Sequence, residues 1–212
     1  MRQYSFFDRL IGQADNVLRT LASDAVQAQR PSPANALAEA GLSNEEKRQV
    51  AGFMRVNHTG EVCAQALYQG QALTAKLPEV REEMKRAAQE EVDHLAWCNE
   101  RLSALNARPS VLNPLFYAAS FGVGALAGMA GDKWSLGFVA ETERQVCEHL
   151  QTHLNKLPMN DQRTRAVLVQ MQQDESEHRD MAIRAGAADL PPPLQQGMRA
   201  LAKVMTQTTY YI

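Results

Sequence analysis

The sequence predicts an all-α protein: a four-helix bundle made of two helical hairpins, a long apolar crossover between them, and an extra helix at each end. Three observations carry this. Ala, Leu, Gln, Glu, Arg and Met are abundant, while aromatic residues make up only 6% and β-branched residues are sparse, a mixture that favours helix over strand. Long amphipathic stretches are punctuated by cap and proline signals. The two halves also repeat one pattern, since Lys76-Leu77-Pro78 and Lys156-Leu157-Pro158 each separate a pair of long helical segments. At 212 residues and 45% hydrophobic content the chain can bury one substantial core, so one bundle domain is expected over residues 43–186, with residues 1–42 and 187–212 as appendages.

A first amphipathic helix is expected over residues 5–25, with Phe6, Leu10, Val17 and Leu21 among its apolar positions, and the linker QAQRPSPANALAEAG then separates it from the bundle. The first bundle helix starts at Ser43, which forms a capping-box pattern with Glu46, and runs to about Lys76. Pro78 suits the first position of the second helix, which ends near Leu105. The third runs from about Asp132 to Lys156, and the fourth from Asp161 to Gly186, a candidate left-handed cap. After the prolines at 191–193 a last amphipathic helix carries Met198, Leu201 and Met205.

Between the hairpins, in the crossover spanning 107–131, residues 109–131 contain no charged side chain. These 23 positions could span a bilayer by length. Pro109, Pro114 and four glycines argue against a continuous span, and a single crossing would put the two hairpins on opposite sides of the membrane. The expectation is an interfacial apolar surface formed by Leu115, Phe116, Phe121, Val123 and Leu126.

The net charge of −2, without a block of like charge, gives no footprint for nucleic acid. The N-terminus has neither the uninterrupted apolar core of a secretory signal nor the acid-free, Arg-rich pattern of a transit peptide. Cys63, Cys98 and Cys147 are odd in number and far apart, as expected of reduced core thiols rather than a disulfide framework.

The chemistry-bearing pattern is Glu91-x-x-His94 in the second helix and Glu175-x-x-His178 in the fourth. A spacing of three puts both side chains about 60° apart on one face, one turn apart, so both can grip one ion. With 15 Glu and 5 His in the sequence, chance alone gives roughly 0.35 such pairs, so one match carries little and two carry more. The partner helices supply carboxylates at matching heights. Glu61 lies about 22 Å of helix before Lys76 and Glu91 about 20 Å after Pro78; Glu143 lies about 20 Å before Lys156 and Glu175 about 25 Å after Pro158. One Glu from each of two helices plus Glu-x-x-His from the other two is the donor set of a dinuclear bundle centre. Glu61, Glu91, His94, Glu143, Glu175 and His178 are therefore the expected metal ligands. Four carboxylates and two imidazoles, with no thiolate, suit paired Fe or Mn better than zinc.

Further residues lie around this set. His58 and Tyr68 share the face of Glu61, Glu141 points elsewhere than Glu143, and His149 falls towards the rim of the site. Asp174 and Glu90 immediately precede a ligand Glu in equivalent places, so Asp174 is expected to receive His94 and Glu90 to receive His178. Glu143 or Glu175 is the carboxylate expected to change binding mode during a reaction. No Gly-rich nucleotide fingerprint is present, so electrons must come from outside or from the substrate.

The strings RVNHTGEVCAQALYQGQ, EEVDHLAWCNERL, GFVAETERQVCEHL and QDESEHRDMA, spread over residues 55–182, resemble the di-iron demethoxyubiquinol hydroxylases of ubiquinone biosynthesis. The resemblance implies a ferritin-like fold, two Fe ions held by the same six residues, and insertion of one oxygen atom from O2 into the ring of a prenylated quinol. It places His149 beside the site, with Glu143 and Glu175 in the catalytic set, and only loosely matches Lys203 and Tyr210 to the family's C-terminal Arg and Tyr. It also implies peripheral attachment to the cytoplasmic face of a bacterial inner membrane. Other ubiquinone-biosynthesis proteins and a second copy of the chain are further candidate partners. Two rival readings use part of the pattern: an iron-oxidising storage protein, which has no need of the charge-free segment, and a non-enzymatic membrane-associated scaffold, which has no need of six matched ligands.

Overall fold

The computed structural model describes residues 6–22 and 28–212. Seven helices follow in order: α1 Phe6–Leu21, α2 Asn44–Thr74, α3 Pro78–Ala104, α4 Asn113–Ala130, α5 Asp132–Lys156, α6 Gln162–Arg184 and α7 Pro192–Thr209, with no strand among the described residues. Positions 5 and 23–25 of the expected first helix, and the side chains of Phe6 and Leu10, lie outside the described residues.

The helix ends follow the local chemistry that the sequence carries. Ser43 Oγ accepts from the Glu46 N–H at 3.2 Å while the Glu46 carboxylate accepts from the Ser43 N–H at 2.8 Å, so two otherwise orphaned donors are satisfied reciprocally. Asp161 caps α6 through the Thr164 N–H at 3.1 Å. Gly186 follows α6 with φ +97°, a left-handed backbone open to glycine without strain. The Asp132 carboxylate accepts from the Lys76 and Leu77 N–H groups, both at 3.0 Å, and so ties the turn of the first hairpin to the start of the second.

The hairpins α2–α3 and α5–α6 pack into a bundle with two apolar layers. One contains Phe53, Met54, Trp97, Leu102, Leu150, Leu154, Leu168 and Met171; the other contains Tyr68, Val80, Met84, Leu136, Val139 and Ala182. On every bundle helix the candidate ligands fall between these layers, so folding of the apolar layers sets the height of the site.

The crossover departs from expectation, because most of it is a regular helix. Pro114 lies in the first turn of α4, where a missing N–H costs nothing. The glycines are contact points rather than breaks: a Cβ at Gly124 would come within 2.3 Å of the Leu67 carbonyl oxygen, and one at Gly70 within 2.4 Å of the Phe121 carbonyl oxygen. α4 thus lies backbone-to-backbone against α2. On an exposed helix Gly→Ala would stabilise by up to about 1 kcal/mol. Gly124→Ala is instead expected to destabilise by about 1–3 kcal/mol, because the new methyl meets immovable backbone. Thermal unfolding checks this, and an unchanged or raised Tm would refute it.

Two further expectations need correction. The linker does not merely separate α1 from the bundle, since Ala34 and Leu42 are buried in the first apolar layer. On α4, Phe121 stacks on Tyr117 against the α2–α3 side, whereas Leu115, Leu126 and Met129 are 65%, 66% and 64% exposed. No described helix is long and apolar enough to cross a membrane.

Candidate metal centre

Glu61 on α2, Glu91 and His94 on α3, Glu143 on α5, and Glu175 and His178 on α6 are all buried in the middle of the bundle. Ligand atoms of Glu61, Glu91, His94 and Glu175 lie within 4.8 Å of one another. His178 joins them through Nδ1, which is 3.2 Å from Glu91 and 3.2 Å from Glu175. Glu143 faces the same charges and accepts a short hydrogen bond from the Tyr68 hydroxyl.

The two central carboxylates are shared. Glu91 turns Oε2 to His94 Nδ1 at 3.0 Å and Oε1 to His178 Nδ1 at 3.2 Å. Glu175 turns Oε1 to His94 Nδ1 at 3.2 Å and Oε2 to His178 Nδ1 at 3.2 Å. Glu61 adds a carboxylate on the His94 side, with Oε2 3.5 Å from Nδ1. The two histidines therefore share Glu91 and Glu175, Glu61 stands on the His94 side, and Glu143 is tied to Tyr68.

The far sides of both imidazoles are fastened crosswise between α3 and α6. His94 Nε2 lies 2.9 Å from Asp174 Oδ2, and His178 Nε2 lies 2.6 Å from Glu90 Oε2, the pairing expected from the sequence. An ionised carboxylate can only accept, so each Nε2 carries the proton and each Nδ1 turns a lone pair to the centre when the ring is neutral.

The electrostatics of the centre suit a bound cation. Burial, with the charges of Glu91 and Glu175 added, holds the Glu61 and Glu143 carboxyls well above the usual carboxylate range. Burial also pushes the Glu91 carboxyl up, but the adjacent His94 and His178 outweigh it and leave Glu91 below that range. The imidazoles move the opposite way to ordinary buried histidines: despite burial, Glu91 and the acids around it raise His94 well above its usual value and His178 to about 12. Oxygens of Glu61, Glu91 and Glu143 are buried without a hydrogen bond. Such a donor set holds excess negative charge that protons neutralise in part, and hard divalent cations fit its oxygens and imidazole nitrogens.

His149 is not brought into this cluster. Its ring packs edge-on against His153 at 4.1 Å, its Nε2 is buried without a hydrogen bond, and burial lowers it to about 4, so it is neutral. His58 is likewise lowered by burial to about 4 and meets Asn113 at 3.2 Å. Glu141 turns away to Arg144, and Tyr210 packs against Phe53 while its carbonyl accepts from Arg55. Sequence reasoning missed His153, which contacts Asn57 at 3.0 Å, although the buried polar stripe Asn57, Glu61, Gln65, Tyr68 at helical spacing signals that face. It also missed Arg30, which reaches the site from the linker and leaves no periodic signal.

A narrow crevice of about 10 Å³ leads towards Tyr68 and Glu143 between Ala64, Leu67, Phe138 and Val139. A helical bundle with a buried cluster of carboxylates and histidines that could hold metal defines the class: a carboxylate–histidine bundle protein. The chain belongs to the family described as ubiquinone biosynthesis protein COQ7, whose model matches residues 48–209. It is 59% identical to the 3-demethoxyubiquinol 3-hydroxylase of Pseudomonas putida (strain GB-1) over 211 residues, covering 100% of this chain and 98% of the relative. It is similarly 59% identical to the protein of that name from Pseudomonas fluorescens and 58% to that from Pseudomonas aeruginosa, with the same coverage of each.

Proposed function

We propose that the chain is a 3-demethoxyubiquinol 3-hydroxylase, a di-iron monooxygenase that places one oxygen atom from O2 on the ring of a prenylated quinol late in ubiquinone biosynthesis. The reading rests on the pairing of the carboxylate–histidine centre with full-length relatives of that name. The storage and scaffold readings account for only part of this combination.

Glu61 and His94 would hold one iron, Glu143 and His178 the other, with Glu91 and Glu175 shared between them. Bound iron supplies the reduction and activation of O2, which no side chain here can perform. The chain's own part is positioning and exclusion. Tyr68 holds its proton between Oη and Glu143, and burial with the Glu143 charge keeps that hydroxyl well above its usual value, so it acts as a donor that orients the carboxylate. Trp97 is buried against the His94 ring at 5.4 Å and shields that side of the centre from water. The crevice is too narrow for an aromatic ring as it stands, so the half-buried Leu67 and Phe138 must part for the quinol to reach Glu143.

The lipid-soluble tail calls for approach from a membrane. On α4 the exposed positions Leu115, Ala119, Gly122, Leu126 and Met129 recur every three or four residues, forming one apolar stripe on the side away from α2. This stripe rests on the cytoplasmic surface of the inner membrane, and the crevice wall residue Leu67 lies directly beneath Gly124 of the same helix. The deciding experiment supplies iron-loaded protein with ¹⁸O2, a reduced prenylated demethoxy-quinol and a two-electron reductant, because the second oxygen atom must leave as water. A product gaining one ¹⁸O and a ring hydroxyl is expected; unmodified quinol with fully loaded protein refutes the proposal.

A further inference from the structure

Both imidazoles of the centre face Glu91 and Glu175, but what stands behind the two rings differs. Behind His178, Glu90 is 44% exposed and its carboxylate meets that imidazole from the protein surface. Behind His94, Asp174 is only 12% exposed and is gripped from three sides. Its Oδ2 accepts from His94 Nε2 at 2.9 Å and from Arg30 Nη1 at 2.9 Å, while its Oδ1 accepts from Gln170 at 2.9 Å.

Arg30 comes from the linker, before the residues that the family model matches. Its Nε donates to Asp93 on α3 at 2.7 Å, so one guanidinium bridges the two helices that carry the Glu-x-x-His pairs. The linker backbone is fastened at the same place: the Gln29 N–H donates to Asp93 at 2.6 Å, and Trp97 Nε1 donates to the Arg30 carbonyl at 3.3 Å. The guanidinium also lies 4.9 Å over the Trp97 ring, whose other neighbour is the His94 ring at 5.4 Å. Asp174, Trp97 and His94 are thus held together by one residue.

We propose that Arg30 is a positioning residue and that the linker is a clasp that makes the two metal positions unequal, so that the ion on the His94 side is held longer than the ion on the His178 side. The inference rests on the dinuclear reading of the centre. A carboxylate fixed by a forked guanidinium cannot rotate away from His94, so the ring keeps Nδ1 aimed inwards through each opening of the bundle. Glu90, with no comparable restraint, lets His178 relax outwards.

The test loads wild type, Arg30→Gln and Glu90→Gln with Fe(II) under anaerobic conditions and follows release to a chelator. Wild type should hold two irons and release them in two phases. Arg30→Gln should speed the slow phase about tenfold and leave the fast phase alone, the size of effect that an outer hydrogen-bond partner exerts. Glu90→Gln should speed only the fast phase. The Tm of the metal-free variants separates positioning from a general staple. A single phase in wild type, unchanged phases in Arg30→Gln, or both phases accelerated with a lowered Tm would overturn the clasp while leaving the dinuclear reading intact. Wild type that takes up no iron would overturn both.

Discussion

Glu175→Ala should empty the centre of both irons and cut turnover by more than about a hundredfold, beyond the loss expected from removing an outer partner alone. Its two oxygens face His94 Nδ1 and His178 Nδ1, each at 3.2 Å, a double contact that Glu91 also makes. His178→Ala should remove one half, leaving up to one iron and no hydroxylation. The metal-free proteins should behave differently from the loaded ones. In the empty bundle Glu175 faces the raised His94 and His178 imidazoles, each at 3.2 Å, so deleting it leaves buried positive charge with one carboxylate fewer. The metal-free Glu175→Ala variant should therefore melt below metal-free wild type, and its gain in Tm on adding Fe(II) should disappear. Iron content, turnover and the two melting curves check this together. Full iron loading and turnover in both alanine variants would remove the assignment.

Leu115→Asp combined with Leu126→Asp should release the protein from vesicles. Both side chains are about two-thirds exposed, so charges there leave the fold intact, unlike a change at Phe121, which packs against the bundle. If each leucine enters the interface it contributes about 1.5 kcal/mol or more, and losing two should lower partitioning roughly a hundredfold or more. Vesicle sedimentation should show that loss. Turnover on a short-tailed, water-soluble quinol should persist, whereas turnover on a long-tailed quinol in vesicles should fall with binding. Unchanged sedimentation would refute docking through α4, and equal loss on both quinols would show instead that the substitutions damage the centre.

The helical hairpins, their caps and the six inward Glu and His residues were legible because each rests on a local rule. Capping at Ser43, proline in the first turn at Pro78 and the three-residue spacing of Glu91 and His94 are decided within one or two turns of chain. Similar distances from each ligand to its hairpin turn then bring the four carboxylates to one height. The cross-pairing of His94 with Asp174 and His178 with Glu90 was also accessible, because equivalent positions on paired helices must exchange partners. The crossover was harder to read. Its glycines lower helix propensity in isolation, yet Gly124 serves a helix that exists because its backbone lies against Leu67.

By itself the sequence determined the all-α class and which Glu and His residues face inwards, since helical periodicity and spacing are written along the chain. Only the tertiary structure decided that Glu91 also addresses His178, that Glu175 also addresses His94, and that Arg30 reaches Asp93 and Asp174. The physical reason is the range of the forces involved. Caps and helix faces depend on neighbours a few residues away, whereas the aim of a carboxylate and the docking of a linker depend on groups more than 60 residues distant, as Arg30 and Asp93 are. Those meetings arise only once apolar burial has brought the helices together.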